Sequence, residues 1–116
     1  MKVRFAVSPP ANVTDMGDFG VFVEAVEQLG FDTVWLSDIP LGHLVDPIVG
    51  LAFAAGRTTR LKLGANIVPF GRNPLIMAKS LAQLDTLSEG RLLLSLVRGL
   101  DQPSERGALG VGASDR

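Results

Sequence analysis

The chain has 116 residues, 47% of them apolar and 20% charged, a balance that describes one globular domain and excludes a disordered segment. Eleven Lys and Arg face 12 Asp and Glu, a formal net charge of -1 with no block of either sign, so nothing draws the chain to nucleic acid or to an anionic membrane. The absence of cysteine excludes disulfides, thiolate metal sites and a Cys nucleophile, and a single histidine, His43, leaves no imidazole set for a metal or for a Ser-His-Asp triad.

Lys2 to Val7 alternates loosely, is rich in Val and Phe, and meets Ser8-Pro9-Pro10, so it reads as a first strand. Met16, Phe19, Phe22, Val23, Val26 and Leu29 recur at helical spacing, with Thr14 or Asp15 as the cap and Gly30 as the left-handed stop. Phe31 to Leu36 is a second strand. Asp46-Pro47 opens a second helix as an N-cap followed by a proline whose missing N–H costs nothing there, and Gly56 is expected to end it. Leu61 to Val68 forms a third strand. Asn73-Pro74 repeats the cap-then-proline device before a helix whose buried face is expected to carry Met77, Leu81, Leu84 and Leu87, closed by Glu89-Gly90. "RLLLSLV", Arg91 to Val97, reads as a parallel strand covered on both faces. Residues 98–116 hold four glycines and read as a long loop with a short helical turn near Glu105.

The order βαβαβαβ requires a parallel sheet with right-handed crossovers, in one domain spanning 1–116. The turn after the first strand, "SPPANVTDMG", carries neither a dinucleotide fingerprint nor a phosphate-binding loop, and "GALGVG" has no helix after it. A receiver-type cation site at Asp38 and Asp46 would need acids after the first strand, where Ser8, Pro9 and Pro10 stand, so no metal is expected. Ligands of parallel α/β sheets bind beyond the carboxyl ends of the strands. The polar residues there are Ser8, Ser37, Asp38 and Asn66, with Ser95 inside the last strand. Each alone reads equally as a cap or a backbone partner; four at one edge suggest the floor of a pocket. His43 reads as an exposed loop histidine, with a proton-transfer or cofactor contact as the alternative. Arg91 is expected to pair with Asp85 or Glu89 and hold the turn into the last strand, and Trp35 reads as core. The amino-terminal "MKVRFAVSPP" has no apolar run of signal-peptide length and no window spans a membrane, so a cytoplasmic protein without membrane partners is the expectation.

"LGFDTVWLSD" (29–38), "DPIVG" (46–50) and above all Thr58 to Leu96, with Leu-Asp-x-Leu-Ser-x-Gly-Arg at Leu84 to Arg91, resemble the luciferase-like flavin monooxygenase superfamily over residues 1 to 97. The resemblance implies a (βα)8 barrel of TIM type, of which this chain covers about the first four strands in order 1-2-3-4. It also implies FMN or coenzyme F420 at the carboxyl edge and oxidation of a small-molecule substrate, by oxygen insertion or hydride transfer. By that resemblance Asn66, Ser37 and Asp38 contact or flank the cofactor, with Ser8 and Ser95 on the same edge. Ile39, where many members keep a histidine, shapes the substrate pocket, and His43 is a further pocket candidate. Four strands leave two open edges, which implies self-association or a separate carboxyl-terminal half. The competing readings are a non-catalytic half barrel serving as an interaction module, and a small doubly wound domain, which would place a strand out of sequence.

Overall fold

The computed structural model describes residues 2–99 and 102–110. Four parallel strands, β1 (Ala6–Val7), β2 (Thr33–Ser37), β3 (Lys62–Ile67) and β4 (Leu92–Leu96), lie in the order β1-β2-β3-β4. They alternate with α1 (Met16–Gln28), α2 (Pro47–Arg57), α3 (Pro74–Leu87) and α4 (Pro103–Leu109). Sequential parallel order is the topology of half of a (βα)8 barrel, and it removes the doubly wound alternative.

The caps follow the sequence closely. Asp15 accepts from the Asp18 N–H, Asp46 from that of Val49, and Asn73 from those of Leu75 and Ile76, with Pro47 and Pro74 opening their helices. The core lies between the sheet and the first three helices. Val34, Leu36, Leu63, Ala65 and Ile67 project into it and meet Phe19, Val23 and Val26 of α1, Leu51 and Ala54 of α2, and Leu84 of α3. Strand side chains alternate, so the residues between these, Thr33, Trp35 and Ser37 on β2 and Lys62, Gly64 and Asn66 on β3, turn to the opposite, inner face.

Several expectations are corrected. β1 pairs only over Ala6–Val7 rather than from Lys2, because the Phe5 N–H is taken by the Asp32 carboxylate (3.2 Å) instead of a ladder partner. α2 runs through Gly56 and stops at Thr58, which is extended and whose Oγ1 donates to the Ala54 carbonyl at 2.7 Å. On α3, Leu81 and Leu84 are buried, but Leu87 is 76% exposed. The 3.6-residue period that begins at Met77 reaches Ser88, which is fully buried, and not Leu87. β4 is not covered on both faces: it is a sheet edge, and Leu93, Leu94 and Leu96 are exposed. The turn expected near Glu105 is a helix of seven residues, Pro103–Leu109; the rest of the expected loop at 100–101 and 111–116 lies outside the described residues.

Arg91 is structural, as expected, but its partners are not Asp85 or Glu89. Its guanidinium is buried and donates to the carbonyls of Ser88 (2.7 Å), Ala55 (3.0 Å), Thr58 (3.1 Å) and Leu61 (3.1 Å) and to Thr58 Oγ1 (2.8 Å). It therefore sits where the carbonyl ends of α2 and α3 converge, a position that helix dipoles make favourable for a cation. A second clasp joins α1 to β3. The Glu27 carboxylate accepts the N–H groups of Thr59, Arg60 (2.7 Å) and Leu61 (2.8 Å), while Arg60 donates to the carbonyls of Glu27 and Phe31. Burial works to raise the Glu27 carboxyl. The three backbone donors and the Arg60 charge together outweigh it and hold the group below its ordinary range.

Candidate active site at the carboxyl edge

The inner face is layered along the strands. At the amino ends stand Lys2, Arg4, Arg60 and Lys62. In the middle, Trp35 lies across Gly64, its register partner on β3: a Cβ at Gly64 would come within 2.6 Å of the indole Cε3. Trp35 is thus half-buried on the inner face and not part of the helix-side core that the sequence suggested. At the carboxyl ends, Ser37, Asn66 and Ser95 occupy one register row across β2, β3 and β4. The Asn66 amide donates to Ser37 Oγ at 3.4 Å. Among the described residues, Asn66 Oδ1 and the Ser95 hydroxyl have no partner. Ser8 follows β1 and shares a small crevice, about 40 Å³, with Trp35, Ser37 and Leu44. Four of the five residues proposed for a cofactor therefore meet on this face.

Asp38 does not join them. It is buried, its carboxylate takes Arg72 Nη2 at 2.6 Å and the Val68 N–H at 3.0 Å, and its own N–H donates to the Asn66 carbonyl at 2.9 Å. These bonds tie the end of β2 to the loop after β3. Arg72 was missed by sequence reasoning; the available signal was an opposite charge just beyond the neighbouring strand. Ile39 borders a crevice of about 90 Å³ between the end of β2 and the start of α2, with Ser37, Asp38, Leu44, Val45 and Pro47. His43 is exposed and lines neither crevice.

α4 packs at the same end. Gly71 has φ +77°, and a Cβ there would lie 2.6 Å from the Leu109 carbonyl oxygen, so glycine alone admits this approach. A Cβ on Gly99 would lie 2.6 Å from Glu105 Oε1 and 2.9 Å from Val68, and Glu105 is buried. A charged helix residue buried beside the strand ends is not legible from a glycine-rich tail. Among the described residues no group of His, Asp and Glu could hold a metal ion, and no helix is long and apolar enough to cross a membrane.

Residues 2–116 match the profile of the luciferase-like monooxygenases. The chain belongs to this family. An uncharacterized protein of Mycobacterium tuberculosis is 47% identical over 73 residues, covering 62% of this chain and 20% of the relative. The F420-dependent glucose-6-phosphate dehydrogenase of Kineococcus radiotolerans is 34% identical over 91 residues, covering 72% of this chain and 27% of the relative. Among solved structures, a monooxygenase from Streptomyces bottropensis superposes with a TM-score of 0.84 at 28% identity, over 97% of this chain and 38% of that one. The chain thus spans about a fifth to a quarter of the curated relatives it matches. Family membership carries flavin- or F420-dependent oxidoreductase and monooxygenase chemistry as the family's general function.

The carboxyl-edge row suits the ring of such a coenzyme. It is uncharged and offers unspent donors and acceptors beside an aromatic wall, which is what the polar edge and flat face of a neutral heterocycle require. Neither crevice is lined by Lys or Arg, so these residues fit the ring and not the phosphate.

Proposed function

We propose that this chain forms the amino-terminal wall of a flavin- or F420-dependent oxidoreductase or monooxygenase acting on a small organic substrate. Ser8, Ser37, Asn66 and Ser95 would hold the ring of FMN or F420, which when bound supplies a hydride or the electrons that activate dioxygen. The observation that carries the reading is the single row of uncharged, incompletely satisfied polar groups at the carboxyl edge, set above Trp35 and Gly64. Asn66 orients Ser37 and keeps its carbonyl for a ring N–H. Trp35 fills the barrel interior beneath and keeps water from that side. Ile39, with no proton to exchange, walls an apolar substrate. Asp38 is committed to Arg72 and the Val68 N–H, and serves by fixing the loop after β3.

Trp35 is the only tryptophan, so its emission reports on this face directly. Titration with FMN and, separately, with F420 should quench it saturably. The same titration followed by amide chemical shifts should move Ser37, Asn66 and Ser95, and Asn66→Ala should weaken both effects. Whichever coenzyme does this is the one the chain uses. Absence of a saturable response to either, or shifts confined to other surfaces, refutes the assignment.

A further inference from the structure

α4 is a helix that its own sequence cannot hold. It has seven residues, carries Gly107 in its interior, and starts at Gln102, which makes no side-chain cap hydrogen bond. A helix this short is unstable in water unless packing secures it, and an interior glycine adds to the cost. The packing comes from two places at the carboxyl edge. The Leu109 carbonyl oxygen and Cβ close on Gly71, at 2.6 and 3.0 Å from where a Cβ would stand. Glu105 is buried beside Gly99, where the Val68 side chain also closes in.

The segment these contacts grip is the one that fixes the end of β2. Val68 gives its N–H to the Asp38 carboxylate (3.0 Å) and accepts at its carbonyl from Arg72 Nε (3.1 Å), and Arg72 Nη2 completes the set on Asp38. Asp38 in turn donates its N–H to the Asn66 carbonyl and lines the crevice of about 90 Å³ with Ser37 and Ile39. α4 therefore leans on both ends of the loop that anchors Asp38. We infer that α4 is a latch on the carboxyl edge. Docked, it holds Val68 to Arg72 in the conformation that clasps Asp38; released, it loosens that clasp and the crevice wall from Ser37 to Ile39. β3 is bonded along its length to β2 and β4, not to α4, so release is local and leaves the sheet paired. The coupling stands on these contacts; that the docked form is the one that takes a coenzyme rests on the reading proposed above.

Two exposed positions tune α4 without touching the clasp: a Cβ on Gly107 or Gly110 would meet no other part of the chain within 4 Å. Gly107→Ala favours the helix and should make its release about two- to fivefold rarer. Gly110 is the left-handed stop at φ +69°, and Gly110→Ala should make release at least about fivefold more frequent. Amide exchange without coenzyme is read at three N–H groups: Arg106, bonded to the Gln102 carbonyl in α4; Val68, bonded to Asp38; and Leu63, bonded to the Arg91 carbonyl across the sheet. Arg106 and Val68 should slow together in Gly107→Ala and quicken together in Gly110→Ala, each pair by one factor, with Leu63 unchanged. Should Gly110→Ala fail to fold, Gly107→Ala carries the same comparison. Arg106 moving without Val68 overturns the inference, as does Leu63 moving with both, or no response at Arg106. Saturating FMN or F420, whichever quenches Trp35, should slow Arg106 and Val68 further by a common factor. Exchange unaltered by a coenzyme that binds overturns the link to the ring site. Absence of any binding refutes the ring assignment alone, and exchange in the free protein still decides the latch.

Discussion

Replacing Arg91 with Ala removes one buried cation and five hydrogen bonds, to Ser88, Ala55, Thr58 (twice) and Leu61. At about 1.5 kcal/mol each, charge-assisted bonds of this kind would sum to about 7 kcal/mol. The sum overstates the loss, since carbonyls at the ends of α2 and α3 regain water once the side chain is gone, and bonds from one group are not additive. A loss of about 3–4 kcal/mol remains. With a urea dependence of about 1.5 kcal/mol per molar, the unfolding midpoint read by Trp35 emission should fall by about 2 M. Arg91→Lys keeps the charge, but three tetrahedral donors cannot serve the same fan of acceptors, so it should recover about half of the loss. Because no carboxylate pairs with Arg91 among the described residues, salt should leave the difference almost unchanged. An Arg91→Ala variant within about 1 kcal/mol of wild type, or a full rescue by Lys, would refute the view that backbone carbonyls at two helix ends hold this guanidinium.

Glu27→Gln should destabilise most near neutral pH. The folded Glu27 titrates below its ordinary range, so its contribution is complete above the unfolded pKa and disappears as pH falls through the folded one; the gap between wild type and variant, read from urea midpoints, should close as pH drops below about 4. A gap that widens in acid would contradict the assigned bonds. Asp38→Asn should cost about 3 kcal/mol, because it leaves Arg72 without its carboxylate in a largely buried setting, and should speed amide exchange at Val68. Gly64→Ala should displace the Trp35 indole, seen as an emission shift, with about 1–3 kcal/mol of lost stability. Gly71→Ala should raise amide exchange across Pro103–Leu109 while leaving β2 and β3 protected.

Much of the fold was legible because its signals are local. Asp46-Pro47 and Asn73-Pro74 begin helices by satisfying the first N–H groups, and Gly30 ends one with φ +87°, a conformation its sequence position demanded. The misreadings share a non-local cause. Whether Leu93 to Leu96 are covered depends on a neighbour beyond β4, and an apolar run looks the same at an edge as at a sheet centre. Sequence distance points Arg91 to nearby acids, whereas only the Ser88 carbonyl among its acceptors is local and the other four come from residues 55 to 61, at the end of α2 and the turn before β3. Trp35 against Gly64 needed the strand register, which pairs them across 29 residues of chain.

The site divides along the same line, and Ser37 and Asp38 show how. Both are polar residues at the end of β2, and residue type alone puts them in one pocket. The strand's alternation sends Ser37 to the inner face, into the row with Asn66 and Ser95. The next residue turns the other way and meets Arg72 and the Val68 N–H. Paired with Arg72 and the Val68 N–H, the Asp38 carboxylate stiffens the loop that follows the row. Ile39 then begins the turn closed by the Gly42 N–H to the Ile39 carbonyl at 3.0 Å and borders the neighbouring crevice with an apolar surface. On the proposed function three consecutive residues would take three tasks, ring contact, loop anchor and pocket wall, and backbone parity would decide the first two. This is why Asn66→Ala should impair coenzyme binding with little loss of stability, while Asp38→Asn should do the reverse.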